Sequence, residues 1–322
     1  MPEYRRGAKG PEVERIQVRL KELGKYRGPI DGDFGGGTES AVRSFQAGAG
    51  LVIDGVVGPE TWKRLLGDGG IPAPALLAKP LAYRSLALTG AFETNAPIPD
   101  CFACIAGDFD GQGMSFGALQ WNLGQRTLQP LLQRMDGLQA KVFEEVFHEH
   151  APVLRAMLES PHDEQLAWAR SIQDPRRHVL VEPWSGLFKT LGRREEFQAI
   201  EVESASGCYQ DALGMVRTYG LRSERGLALM FDIRVQNGSI SDVVRAQIQQ
   251  DFARLEPSAD RDAQEVAQLR IIANRRAEAA NPQWVEDVRA RKLTIANGEG
   301  TVHGGHYDLG GQYGIGLKPA FG

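Results

Sequence analysis

The sequence predicts a mainly α protein in two parts: a three-helix module at the N-terminus, then a larger α+β domain with a single small β-hairpin. Three observations carry this expectation. Before residue 67, three short apolar periodicities of helical spacing are joined by a loop phrase that occurs twice. From 67 to 80, in Gly-Asp-Gly-Gly-Ile-Pro-Ala-Pro-Ala-Leu-Leu-Ala-Lys-Pro, Gly and Pro dominate and periodicity is lost. Beyond it, helical spacing returns, and only the stretch near 105–121 reads as strand.

In the first helix, Gly10-Pro11-Glu12 supplies a proline in the first turn with an acid beside it, and Val13, Ile16, Leu20 and Leu23 fall on one face. Thr38 is expected to cap a second helix that turns Val42 and Phe45 inward. Gly58-Pro59-Glu60 opens a third, with Trp62, Leu65 and Leu66. Ile30-Asp31-Gly32-Asp33-Phe34-Gly35 precedes Thr38 as Ile53-Asp54-Gly55-Val56-Val57-Gly58 precedes Thr61, a short duplication of a loop feeding a helix. After the linker, helices are expected near 126–158, 162–173, 194–218, 222–236, 241–254 and 262–280. The expected boundaries are therefore 1–66 for the module, 67–80 for the linker and 81–322 for the second domain.

The duplicated phrase, with Arg5-Arg-Gly-Ala-Lys-Gly-Pro-Glu-Val13, Ala41-Val-Arg-Ser-Phe-Gln46 and Asp54-Gly-Val-Val-Gly-Pro-Glu-Thr-Trp62, resembles the three-helix peptidoglycan-binding domain of bacterial and phage cell-wall hydrolases. The resemblance spans roughly residues 5–66. Within the phrase, Asp and Gly are turn formers: Gly tolerates positive φ and Asp bonds nearby backbone N–H groups. Ligand contact then falls to groups beside the loops, such as Tyr26 and Arg43.

The most informative chemistry lies in the second part. Glu93 ends the apolar run Leu86-Ala-Leu-Thr-Gly-Ala-Phe92, and Asp110-Gly-Gln-Gly-Met-Ser115 follows on the expected hairpin. A carboxyl on a helix end opposite a carboxylate on a hairpin suits glycosidic cleavage, which needs an acid for the leaving oxygen and a second carboxylate as base or nucleophile. Glu93 fits the acid, its pKa raised by partial burial against the apolar helix. Asp110 fits the base, in a glycine-rich turn that stays wet, and Ser115 could hold the attacking water. Asp108 competes with Asp110, unless it serves only to bond the hairpin backbone.

This stretch resembles the bacterial chitosanases of the lysozyme-like superfamily, which carry a helical Glu and then Asp-Gly-x-Gly-x-Thr; Glu93, Asp110 and Ser115 stand at the matching positions, with Ser for Thr. Ser115-Phe-Gly-Ala-Leu-Gln120 also resembles the Gly-x-x-Gln strand of muramidases and transglycosylases, which implies that Gln120 lines a sugar cleft with Trp121 beside it. A mostly helical domain with one hairpin is the lysozyme-like plan. Outside 86–122 the chitosanase resemblance thins to a helix near Met230-Phe-Asp232, so it implies catalytic geometry rather than substrate.

No metal or other cofactor is expected. Cys101-x-x-Cys104 and His303-x-x-His306 together could offer four zinc ligands, but some two hundred residues separate the pairs. The cysteines are expected to shape the loop beneath the site or to form a local disulfide, and the histidines to lie in a glycine-rich tail across the catalytic domain. A zinc amidase or peptidase is the rival of another class, because wall-binding modules are often fused to such enzymes. Trp168, Trp184 and Trp284 are expected in the core.

Bulk properties narrow the partners. With 24% charged residues and net charge −4, the chain gives no argument for nucleic acid or membrane binding. Residues 1–66 carry 11 basic against 9 acidic side chains, a slight excess of the sign that suits an anionic polymer. The N-terminus has no apolar signal core, so synthesis in the cytoplasm and release through a holin lesion or a secretion system are expected. The resemblances imply a monomeric, endolysin-type peptidoglycan hydrolase, with a lytic transglycosylase or chitosanase-like glycosidase as alternatives. Inversion would place the two carboxyls about 6.5 to 9.5 Å apart.

Overall fold

A computed structural model describes residues 3–67 and 75–321; most of the expected linker, 68–74, lies outside them. The fold is mainly helical. It divides into two compact units, Met1–Ser85 with Asp211–Gly322, and Leu86–Gln210.

The first unit begins with α1 (Pro11–Glu22), α2 (Gly36–Ala49) and α3 (Pro59–Leu66). Val13, Ile16, Leu20, Phe34, Val42 and Trp62 form their shared core, while Leu23 at the end of α1 is exposed. The duplicated loops are organised by two glutamines that the repeat phrase does not contain. Gln17 is fully buried; its Nε2 donates to Asp31 Oδ1 (2.8 Å), Asp33 O (2.9 Å) and Thr38 Oγ1 (3.2 Å), and its Oε1 accepts from the N–H groups of Asp31 and Gly32. Gln46 repeats the pattern with Asp54 Oδ1 (2.8 Å), Val56 O (2.9 Å), Thr61 Oγ1 (3.2 Å) and the N–H of Gly55. Thr38 is therefore not a cap: Gly35 occupies the N-cap, and Thr38 sits inside α2 with its hydroxyl turned to Gln17.

The second unit takes up most of α4 (Leu81–Thr94), which spans the unit boundary. A three-stranded antiparallel sheet follows, β1 (Ile105–Ala106), β2 (Ser115–Phe116) and β3 (Trp121–Asn122), ordered β1-β2-β3. The long apolar run near 126–158 is not one helix. It breaks into α5 (Gln129–Leu138), α6 (Ala140–Phe147) and α7 (Ala151–Glu159): Gln139 leaves helical backbone at φ −134° and ψ 43°, and after α6 His148 takes φ of 47° and Pro152 lies in the first turn of α7. Then come α8 (His162–Ser171), α9 (Trp184–Gly192), which the periodicity did not reveal, and α10 (Glu195–Ser204). Phe116, Phe143, Phe147, Phe188 and Phe197 fill the core of this unit.

The chain crosses back in α11 (Ser206–Thr218). The first unit then adds α12 (Glu224–Asn237), α13 (Asp242–Phe252), α14 (Arg261–Glu278) and α15 (Val285–Asn297), with α15 packed on both α12 and α14. Asp232 is fully buried between Arg291, which binds both carboxylate oxygens, and Lys292. Burial opposes its charge, but the two cations prevail and hold its pKa at about 2. The glycine-rich tail is not a loose strap. It forms a second hairpin, β4 (Glu299–Val302) and β5 (Gly305–Asp308), followed by α16 (Leu309–Tyr313). Its turn places His303 and Gly304 both at positive φ, as a tight two-residue hairpin turn requires. His306 on β5 lies against Gly7 of the N-terminal module, where an added Cβ would sit 2.3 Å from the His306 Cβ.

Gln46→Ala should remove the anchor of the second loop and destabilise it by roughly 2–4 kcal/mol, since several of its partners are buried or half-buried. Hydrogen exchange over residues 51–66 measures this; protection equal to that of the unaltered chain would contradict it.

Candidate active site

The hairpin loop that carries the acidic motif is held from below by α8 and the residues after it. Asp108 Oδ1 accepts from the N–H of Gly113 (2.9 Å), and Arg170 donates from Nε to Asp108 Oδ2 (2.7 Å) and from its terminal nitrogen to Gly111 O (3.0 Å). Gln173 accepts from the N–H of Asp108 and donates to Gly113 O, both at 2.8 Å. Burial raises the pKa of Asp108, but Arg170 and the backbone donors outweigh it and the net shift is downward. Asp108 thus bonds the hairpin backbone, the alternative to a role as second carboxylate. Asp110 stands exposed on the same rigid loop, its Oδ1 accepting from the N–H of Gln112 (3.1 Å) in an Asx turn. Ser115 on β2 accepts from Asn122 Nδ2 on β3 (2.9 Å), leaving its hydroxyl hydrogen to donate.

Glu93 lies on the last turn of α4 and is exposed. The expectation of partial burial is corrected: Ala91 and Phe92 face the core, and the next residue, about 100° further round, faces out. One turn earlier, Gly90 meets the segment after β2, where an added Cβ would stand 2.8 Å from the Cβ of Ala118. A glycine is needed there for the helix to approach the turn so closely. The end of α4 and the sheet are thus in direct contact through Gly90 and Ala118.

Beneath that turn lies a residue the sequence reading missed. Glu201 on α10 is fully buried; its Oε2 accepts from the N–H of Ala118 (2.9 Å), and its Oε1 has no hydrogen-bond partner among the described residues. Gly117, at φ of 87°, leaves room for it, since a Cβ there would meet Oε1 at 2.7 Å. Burial pushes the Glu201 carboxyl well above its ordinary pKa and favours the neutral acid. The signal was an acid on the apolar face of a helix, four positions after Phe197 and one after Ile200.

Other candidates are placed differently from expectation. Gln120, at φ of 54°, turns its amide back to Gly117 O (2.8 Å) and Cys104 O (3.2 Å), so it closes its own turn rather than lining a cleft. Trp121 is half-buried against the core. Tyr26 is buried, its hydroxyl donating to Pro29 O (2.9 Å), and is a structural residue of the first loop rather than an exposed contact. Arg43 is exposed and binds Glu39 and Ile53 O. Trp184 is buried and Trp168 packs on it edge-on, but Trp284 is 56% exposed, contrary to expectation. Phe109, next to Asp110, is 70% exposed and pairs with the His178 ring at 5.3 Å.

Cys101 and Cys104 are free thiols, not a disulfide, and burial raises the pKa of both. His303 Nε2 contacts Asp287 Oδ1 at 2.6 Å. Among the described residues no three His, Cys, Asp or Glu side chains are arranged to hold a metal ion, and no helix is long and apolar enough to cross a membrane.

Residues 9–65 match the model of a putative peptidoglycan binding domain. Over 61 residues the chain is 48% identical to a spore cortex-lytic enzyme of Bacillus cereus, covering 19% of this chain and 24% of that one. Over 56 residues it is 46% identical to an N-acetylmuramoyl-L-alanine amidase of Mycobacterium tuberculosis, covering 17% and 14%. The chain thus spans a quarter or less of the length of these relatives. Among solved structures it is similar to a Gynuella sunshinyii GH46 chitosanase in complex with chitotetraose, at 14% identity and a TM-score of 0.42, over 72% of this chain and 98% of that one.

Glu201→Gln mimics the neutral acid and should alter the pH dependence of stability. A carboxyl whose folded pKa is raised stabilises fully below its unfolded pKa, and that contribution fades as pH climbs towards the folded value. The unaltered chain should therefore lose stability relative to Glu201→Gln as pH rises above about 4.5. Denaturation midpoints measured from pH 4 to 8 test this; a constant difference between the two proteins would contradict it.

Proposed function

We propose that this chain is a peptidoglycan-degrading glycoside hydrolase that cuts the glycan strand of the bacterial wall. The observation that carries the reading is the hairpin loop presenting Asp110, pinned by Arg170 and Gln173, on a sheet whose β2–β3 turn packs directly on the helix that carries Glu93 in its last turn. Residues 1–66 would hold the wall, 67–80 would link, and 81–322 would carry the catalytic residues. The match of residues 9–65 to a peptidoglycan-binding model supports the substrate.

In this reading Glu93 protonates the glycosidic oxygen as the bond breaks. Asp110 accepts a proton from a water that attacks the anomeric carbon from the opposite face, and the Ser115 hydroxyl orients that water. The product is then a reducing sugar of inverted configuration. The preferred bond is that between N-acetylmuramic acid and N-acetylglucosamine, which makes the enzyme a muramidase of lysozyme-like type. The exposed ring of Phe109 offers an apolar face on which a sugar can stack beside Asp110. The protein acts as a monomer in the periplasm or wall, in the manner of a phage endolysin, and needs no cofactor.

Glu93→Gln and Asp110→Asn should each lower the rate of lysis of purified sacculi by about 100-fold or more, while Asp108→Asn acts through loss of the loop and lowers thermal stability as well. Lysis should persist in EDTA. Retention of most activity by Asp110→Asn would favour a lytic transglycosylase, which needs only the acid. Intact lysis by Glu93→Gln would refute the reading.

A further inference from the structure

The first unit contains a cavity of about 680 Å³ that none of the catalytic candidates touches. One wall is the start of α12 with Arg225, another is the end of α15 with Gly298, and the remainder comes from Arg5, the β4–β5 hairpin and the tail that follows α16. Gly310, Gly311, Gly314 and Gly316 line it with bare backbone.

Arg225 is the unusual member. Among the described residues its Nε is buried without a hydrogen-bond partner, and its guanidinium reaches only Ala296 O, at 3.4 Å. It lies so close to the Gly298 backbone that an added Cβ would stand 2.2 Å from it. Nearby carboxylates do not pair with it: Asp262 and Glu265 bind Arg222, and Asp308 caps α16 through the N–H of Gly311. Burial accordingly lowers the pKa of Arg225, although it remains a cation. The other cations of the cavity have carboxylate partners, Arg5 with Glu299 and Lys318 with Glu224, although Arg5 Nε is likewise buried without a hydrogen-bond partner among the described residues.

A half-buried guanidinium whose one side-chain hydrogen bond among the described residues is a long one to Ala296 O, on the lining of a cavity of ligand size, suits a carboxylate, which a guanidinium binds by two parallel hydrogen bonds. Glycine walls let an extended backbone approach closely. Asp308, whose Oδ1 caps α16, also lies on the lining, and its other carboxylate oxygen can receive an ammonium group. We propose that this cavity binds a short peptide bearing a free carboxylate and an amine, namely the stem peptide of peptidoglycan, with Arg225 holding the carboxylate. This rests on the proposed wall substrate but not on the proposed bond cleavage: the site would read the peptide while Glu93 and Asp110 act on the glycan.

Calorimetric titration of the full chain with a soluble tetrapeptide stem containing diaminopimelate tests it. The stem should bind. The same peptide with its carboxylates converted to amides should bind about tenfold or more weakly, and Arg225→Gln should lose a similar factor while keeping its melting temperature. Arg225→Lys, which keeps the charge but not the fork, should fall between. No binding of the stem, or equal binding of the acid and amide forms to the unaltered protein, would overturn the proposal, and the latter comparison requires no variant to fold. Stem binding by a chain that releases no sugar from sacculi would sink the glycosidase reading and leave this one standing.

Discussion

Glu201 carries a carboxyl group into a core otherwise built of Phe116, Phe188 and Phe197, and the turn at Gly117–Ala118 closes over it. One oxygen takes the Ala118 N–H; on the other side of the same turn, Ala118 rests on Gly90 of α4. This pair of contacts fixes the end of a helix against a sheet that has only two residues in each strand. So short a sheet has little ladder to hold it. Its geometry is supplied instead by side chains from outside it: Glu201 under the turn after β2, Arg170 and Gln173 under the loop between β1 and β2. The cost of burying a carboxyl is reduced by keeping it neutral, and the return is a backbone turn with one defined position.

How legible this was depended on the range of the interactions involved. The N-terminal module could be read because its signals are local: proline at helix starts, apolar residues at helical spacing, and a phrase repeated within 23 positions. Even there the organising role of Gln17 and Gln46 went unread, although Gln46 ends a quoted motif, because each lies outside the phrase it serves and reads as an ordinary polar helix residue. Glu93, Asp110 and Ser115 were singled out by their pattern, and the structure places them on a helix end, a loop and a strand, as the glycines between them suggested. The exposure of Glu93 was misjudged because a helix turns its face within one residue. Gln120 was expected to line a cleft, and Asp108 either to compete for the second carboxylate or to bond the hairpin backbone; in the structure both bond backbone. A polar side chain in a glycine-rich turn has backbone groups to satisfy first, and both satisfy them. Glu201 was hidden because its partner is 83 residues away, and Arg225 because an unpaired donor is visible only when everything around it is placed. The second hairpin was nearly legible: His303-Gly304 between short alternating segments is a turn signal that the glycine content obscured.

The two glutamine-centred loops and the rigid hairpin represent the same solution to different tasks. In each, one side chain gathers several backbone donors and acceptors from a loop that has no regular structure, so that the loop keeps one shape without a large core. For a module that holds an insoluble polymer, this preserves a recognition surface. For the proposed acid–base pair, it would keep the reacting groups from drifting relative to the sugar, which matters because misplacement by about an ångström can cost a large factor in rate. Under the proposed function, a weak wall-binding module on the same chain would raise the local concentration of the catalytic part without any new contact at the reacting bond.

The most direct test of the account is the identity of the bond broken. Purified sacculi digested with the chain and examined by mass spectrometry, with the new anomeric centre followed by proton NMR in the first minutes, should give muropeptides with a reducing N-acetylmuramic acid end of inverted configuration. Release of free stem peptides from an uncut glycan would contradict it.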